Sequence, residues 1–185
     1  MMRILSVDAE TNGLYGAPFA IGMVVRDTHG ADWQFIARCP IDGDIDPWVE
    51  QHVLPALSGV AVTHPTDDAL LADFWQAYRS EVDDATAAGE TLICVAHCAS
   101  PVESGLFRRC VEVDPAARQF QAPFPLHDVA SMLLMAREDP LSVRDFLARH
   151  AITVPFDGAA HHPLFDAWTA LLATEALLAG RPLSP

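Results

Sequence analysis

The stretch Arg3-Ile4-Leu5-Ser6-Val7-Asp8-Ala9-Glu10-Thr11-Asn12-Gly13-Leu14 passes from an apolar run into a pair of acids and then a turn. Arg3 to Val7 alternates apolar and small side chains, the period of a strand, and the run ends at Asp8. On an extended chain, positions two apart share a face, so Asp8 and Glu10 point the same way. Two carboxylates on one face repel each other. A divalent cation with oxygen ligands would offset that repulsion. Solvated strand-end acids are the plain alternative. Thr11-Asn12-Gly13-Leu14 reads as a tight turn, where Gly13 lets a backbone or a ligand come close.

Working outward, Phe19 to Arg26 and Trp33 to Arg38 read as two further strands. Asp27-Thr28-His29-Gly30 between them is a turn, so the pair forms a hairpin. Residues 40 to 66 are loop-rich, with Pro40, Pro47, Pro55 and Pro65. Leu71, Trp75, Tyr78 and Val82 recur at helical spacing, which predicts a helix over 67–88. Thr66 or Asp67 would cap it and Gly89 would end it. Thr91 to Ala96 is a β-rich apolar run. A helix over about 101–110 follows, then a short strand near 124–127. Helices over 128–137 and 141–150 come next, and a last helix opens at His162 or Pro163 and runs to Leu178. The order predicts a mixed α/β layer fold, with an antiparallel hairpin on a partly parallel sheet.

Composition narrows the function classes. The 185 residues hold 25 acids against 11 bases, a net charge of −14; every base is Arg and none is Lys. Phosphate polymers bind basic surfaces, so this balance argues against a broad, sequence-blind nucleic-acid coat. It leaves room for a small acidic site that holds cations. The uncharged stretches are short and broken by Gly and Pro, which predicts no membrane span. The N-terminus lacks a signal peptide's apolar run, so the expected location is the cytoplasm. Cys39, Cys94, Cys98 and Cys110 have no CxxC spacing and read as reduced core thiols.

Two more clusters carry candidate chemistry. In His161-His162-Pro163-Leu164-Phe165-Asp166-Ala167, Pro163 suits a first helical position. One stripe of the helix is Leu164, Trp168, Leu171, Leu172 and Leu178. Asp166 lies roughly opposite, beside Ala170, Ala173 and Leu177, so both sides are apolar and the helix is expected to be buried on two faces. A carboxylate facing a packed layer is costly unless it is paired. The second cluster is Val95-Ala96-His97-Cys98-Ala99-Ser100-Pro101-Val102-Glu103, which leaves a strand and enters a helix. Ser100, Pro101 and Glu103 fit a capping box, in which Glu103 satisfies only a backbone donor. The same side chain can instead project into a site at the strand ends, and the local sequence does not choose. Arg108 and Arg109, one turn on, read equally as phosphate contacts or solvated charges.

Taken together, these residues resemble the DEDDh 3′–5′ exonucleases of the ribonuclease H-like fold. Residues Asp8 to Leu14 resemble the first motif of that family, DxETxGL. Val95 to Ser100 resembles the start of the second, VAHNAxFD. His161 to Ala167 resembles the third, HRALxDA. The likeness spans about residues 3 to 180. An ungapped match puts Val102 at the second-motif Asp, with Cys98 for Asn and Pro101 for Phe. The nearest acid is Glu103, and the role is carried onto it. His161 has the DEDDh spacing to Asp166, while His162 sits where the sister DEDDy group places a tyrosine; His161 is preferred.

The resemblance implies a single α/β domain over residues 1–185. Its sheet would be ribonuclease H-like and mixed, with an N-terminal antiparallel strand group flanked by helices. It implies that Asp8, Glu10, Glu103 and Asp166 hold two Mg²⁺ or Mn²⁺ ions, and that His161 acts as general base. Thr11, Gly13, Leu14, His97 and Arg108 would contact substrate. The implied activity is hydrolysis of single-stranded nucleic acid from its 3′ end to nucleoside 5′-monophosphates, RNA slightly favoured over DNA. Two alternatives stand beside it: a ribonuclease H-like binding or interaction module that has lost catalysis, and a small-nucleotide phosphodiesterase. A homodimer is a further implication, with Trp33, Trp48 or Trp75 as interface candidates.

Overall fold

A computed structural model describes residues 2–180. Its centre is a five-stranded sheet ordered β3-β2-β1-β4-β5. The strands are β1 (Met2–Thr11), β2 (Pro18–Arg26), β3 (Asp32–Arg38), β4 (Thr91–Ala96) and β5 (Leu126–Asp128). β1 pairs antiparallel with β2 and parallel with β4; β2 pairs antiparallel with β3, and β4 parallel with β5. The β2–β3 link is the expected turn, with Asp27 Oδ1 accepting from the backbone N–H groups of His29 and Ala31. This is the mixed, helix-flanked sheet that the sequence predicts.

The helices are α1 (Pro47–His52), α2 (Asp67–Ala88), α3 (Val102–Val113), α4 (Pro115–Arg118), α5 (Val129–Met135), α6 (Val143–Arg149) and α7 (Pro163–Leu178). α2 has the predicted bounds. Thr66 Oγ1 accepts from Ala69 N–H at its start, and Gly89 closes it in the left-handed conformation (φ 66°). Its inward stripe departs from expectation in one place. Val82 is only half-buried, and Glu81 turns inward to meet Arg3. Residues 40 to 66 are not all loop: α1 forms there because Asp46 caps it, accepting from Trp48 and Val49 N–H, with Pro47 in the first turn. None of the described helices is long and apolar enough to cross a membrane.

Two cores sandwich the sheet. One joins Leu5, Val7 and Ala9 to α2 and α3 through Leu71, Phe74 and Phe107. The other joins Ile4, Val24 and Val95 to α5, α6 and α7 through Leu133, Phe146 and Trp168. Alternation along β1 therefore sends odd positions to α2 and α3 and even positions to the α7 side. Asp8 and Glu10 are even. Cys39, Cys94 and Cys110 are the expected buried thiols, but Cys98 is exposed. It sits in the turn after β4 with a left-handed backbone (φ 57°), outside either core.

Candidate active site

The parallel strands β1 and β4 end at the same sheet edge, where a cleft of about 390 Å³ opens. Crevices outside the carboxyl ends of parallel strands are the usual ligand sites of such sheets. Asp8, Glu10, Glu103, His161 and Asp166 all line it, as do His97 and Leu14.

A strand glycine sets the approach of the last helix. Gly22 on β2 pairs with Asp8 on β1. A Cβ at Gly22 would stand 2.4 Å from the carbonyl carbon of Pro163 and 2.6 Å from the nitrogen of Leu164. The backbone at the start of α7 thus lies directly on the strand next to Asp8, with Asp166 one turn in. A glycine inside a strand signals such close contact. α7 is buried along both faces, from Leu164 and Ala167 to Ala173 and Ala176, as its two apolar stripes predict.

The backbone N–H of His161 donates to Asp166 Oδ2 at 2.7 Å, which ties the loop before α7 to the helix acid. His161 itself has φ 66°. Its Nδ1 is 3.8 Å from Glu10 Oε1, and its ring meets Trp48 edge-on at 5.2 Å between centroids. One donor atom from each of Glu10, His161 and Asp166 lies within 4.8 Å of the others. Asp8 and Glu103 stand outside that tight group but face the same cleft. His162 turns the other way, packing on Phe156 at 4.8 Å, and does not line the cleft.

Glu103 settles the choice left open by its local sequence. α3 starts at Val102 with Pro101 in the cap position, a residue that makes no side-chain capping bond. Ser100 is not the cap. The Glu103 side chain instead crosses to β1, where Oε1 accepts from Ala9 N–H at 3.2 Å, between Asp8 and Glu10. The residue is only 3% exposed.

Burial raises the proton affinity of all four acids, and neighbouring carboxylates add to it at Asp8, Glu10 and Glu103. Burial, then the charges of Asp166, Glu10 and Glu103, push Asp8 well above the ordinary carboxylate range. Burial and the neighbouring acids push Glu10 up to about 9. Burial lifts Glu103 to about 8, against hydrogen bonds to its own N–H and that of Ala9. Asp166 rises to about 6, again from burial. Burial and the charge of Arg144 lower the proton affinity of His161, which favours its neutral form. Asp8 Oδ2 is enclosed and accepts no hydrogen bond. An orphaned buried carboxylate oxygen among hard oxygen donors fits Mg²⁺ or Mn²⁺. An ion there would reverse the upward shifts.

The other expected substrate residues divide. His97 lines the cleft and its Nε2 is 2.8 Å from Pro140 O. Thr11 and Arg108 line a smaller adjoining groove, which Leu14 shares with the main cleft. Gly13 lines neither. It holds a left-handed turn (φ 79°) against Asp46, whose Oδ2 would be 3.6 Å from an added Cβ. Arg109 is drawn off to Asp67 at 2.8 Å. Sequence reasoning missed Arg144 and the placement of Trp48 over His161. Asp46-Pro47 was a readable start signal for the helix that carries Trp48; nothing in the local sequence marked Arg144. Trp33 and Trp48 are exposed, whereas Trp75 is buried under Arg118, so it marks no surface.

Neither a protein-family model nor a curated protein matches this sequence. Solved structures do match in shape. The nuclease domain of 3′hExo, described as a DEDDh family member bound to rAMP, superposes with a TM-score of 0.56 at 12% identity. The match covers 99% of this chain and 94% of that one. A 3′-exonuclease that recognises the histone mRNA stem-loop gives 0.58 at 15% identity, over 98% of this chain and 65% of that one. E. coli Exonuclease I, in complex with a dA16 oligonucleotide, gives 0.57 at 14% identity, over 98% and 41%. The fold of this chain is therefore that of the DEDDh exonucleases.

Proposed function

We propose that the protein is a metal-dependent 3′–5′ exonuclease acting on single-stranded nucleic acid, RNA somewhat favoured over DNA. The observation that carries this reading is the convergence of Asp8, Glu10, Glu103 and Asp166 from β1, α3 and α7 with His161 beside them. The four acids would hold two Mg²⁺ or Mn²⁺ ions. When bound, such a pair acidifies a water and neutralises charge on the attacking and leaving oxygens of an in-line displacement. His161, whose neutral form burial and Arg144 favour, would take the proton of the attacking water. Asp166 fixes that histidine through its backbone N–H. Glu103 is held in place by Ala9 N–H. Leu14 supplies an exposed apolar wall for the terminal base. The preference for RNA rests on the Pro101-Val102-Glu103 resemblance alone. A cytoplasmic homodimer, with Trp33 or Trp48 at its interface, belongs to the same proposal.

The reading of a fold that has lost catalysis would have Glu103 serve only its own helix; its hydrogen bond to Ala9 N–H on β1 supports the catalytic reading instead. The test is stepwise 3′ shortening of 5′-labelled oligonucleotides, with mononucleotide release read by chromatography, in Mn²⁺ or Mg²⁺, beside Asp8→Ala and Asp166→Ala. Stepwise shortening that both variants lose is the expected result. No release, or equal release by the variants, overturns it.

A further inference from the structure

The acidity of the chain and the fate of its arginines bear on what the cleft can hold. Among the described residues, Arg3, Arg26, Arg79, Arg109 and Arg149 are each committed to carboxylates of this chain. Arg38 and Arg118 donate to backbone carbonyls. Arg108 leans on Glu112 at 3.7 Å and stays 73% exposed. Arg144 makes no hydrogen bond and no ion pair, is exposed, and is the one arginine among the residues lining the acidic cleft. It is near enough to favour the charged form of Asp166 and the neutral form of His161. Among the described residues no carboxylate holds it in an ion pair, so its guanidinium is available to a ligand of the cleft.

The surroundings of the cleft have the opposite character. The turn carrying Leu14 is tied to an acidic loop: Asn12 Nδ2 donates to Asp44 O, and Asp46 N–H donates to Asn12 Oδ1. Asp42, Asp44 and Glu50 are exposed on that segment. Phosphates of a strand extending past the cleft on this side would meet like charge. A cleft of about 390 Å³ is near the small end of the ~300–1,000 Å³ typical of ligand sites.

We propose that Arg144 is the phosphate-binding residue of the cleft, and that the substrates are therefore short oligonucleotides held chiefly at the scissile phosphate of their 3′-terminal nucleotide. The short-substrate part rests on the exonuclease reading; the part of Arg144 is read by binding alone. Each phosphate neutralised on a single strand contributes a salt slope of about −0.7. One or two contacts, Arg144 with or without Arg108, give about a 3- to 7-fold loss of affinity between 50 and 200 mM salt. A tracking enzyme with many contacts would lose far more.

The first experiment titrates adenosine 5′-monophosphate with Mn²⁺ into the protein by calorimetry. Wild type, Arg144→Met, Arg144→Lys and, as control, Arg137→Met are compared, with circular dichroism to confirm folding. Arg144→Met is expected to weaken binding ~10-fold or more. Arg144→Lys should recover part of that loss, and Arg137→Met should match wild type. The second experiment measures anisotropy of 5′-labelled 2-, 5- and 20-mers in Ca²⁺ at both salt concentrations. Affinities within ~5-fold across the lengths support the proposal. Unchanged nucleotide binding by Arg144→Met overturns it, and so does affinity that climbs 100-fold from the 2-mer to the 20-mer. Arg144-dependent binding with no mononucleotide released from any strand upholds the role of Arg144 and sinks only the exonuclease reading.

Discussion

The two ends of β1 solve the same electrostatic problem in opposite ways. At its start, Arg3 donates to Glu81 at 2.8 Å and to Glu90 at 2.7 Å, and Glu90 also accepts from Thr28 Oγ1. Two acids and one cation, all largely enclosed, complete one another within the chain. At its finish, Asp8 and Glu10 meet Glu103 and Asp166, and the one arginine among the described residues lining that cleft, Arg144, is exposed. The first end is self-sufficient and holds the β1–β4 edge to α2. The second has an unmet need for positive charge. Buried charge that the chain neutralises for itself is structural; buried charge left without a partner marks the place where something else must bind.

The largest effect expected from this contrast is at the unpaired end. Asp8→Ala should reduce mononucleotide release by ~10³-fold or more, about 4 kcal/mol at the transition state. Without metal at pH 8 the same variant should melt no lower than wild type, since an unpaired buried acid has gone. A lower melting temperature would show that Asp8 is structural after all. The mirror experiment is Arg3→Met. It should cost about 3 kcal/mol of stability by stranding Glu81 and Glu90, while kcat stays near wild type. Lost activity in a folded Arg3→Met protein would erase the distinction between the ends.

A somewhat smaller effect concerns pH and metal. Unfolded, Glu10 and Glu103 titrate near 4.5; folded, they hold protons to about 9 and about 8. Between those limits the folded chain binds more protons than the unfolded one, so stability of the metal-free protein falls as pH rises from about 5 to 9. Scanning calorimetry in a chelator checks the sign. Mn²⁺ at a hundred times its Kd should return about 2.7 kcal/mol at pH 8. A flat pH profile, or no metal response, would mean the acids are better solvated than the geometry implies. Smallest is Gly22→Ala, which must push the start of α7 off β2. About 2 kcal/mol of destabilisation is expected, with metal affinity lowered as Asp166 withdraws from Asp8. An unchanged metal titration would show that Asp166 does not depend on that contact.

Much of this was legible where local rules act alone. α2 and α7 have the bounds their spacing predicts, because start signal (the Thr66 cap, Pro163 in the first turn), apolar period and stop agree along each of them. Asp8, Glu10, His161 and Asp166 were visible as candidates because strand alternation and helix register each place a pair. Glu103 was not resolvable, since a capping box and a cleft-facing acid share one local pattern; only the proximity of Ala9 separates them. Arg144 carried no signal, because its importance lies in which other arginines are already engaged, a property of the whole fold. Gly22 did carry a signal. A glycine in the run Phe19 to Arg26 announces close backbone contact, though not with which element.

His161 adopts a left-handed backbone, a region that costs a non-glycine residue about 1 kcal/mol. Glycine would relieve that cost and, under the proposed role, remove the base. Selection for thermostability and selection for turnover should therefore pull this codon in opposite directions. A library sorted by heat alone would drift toward His161→Gly and deliver a sturdier protein that no longer cuts.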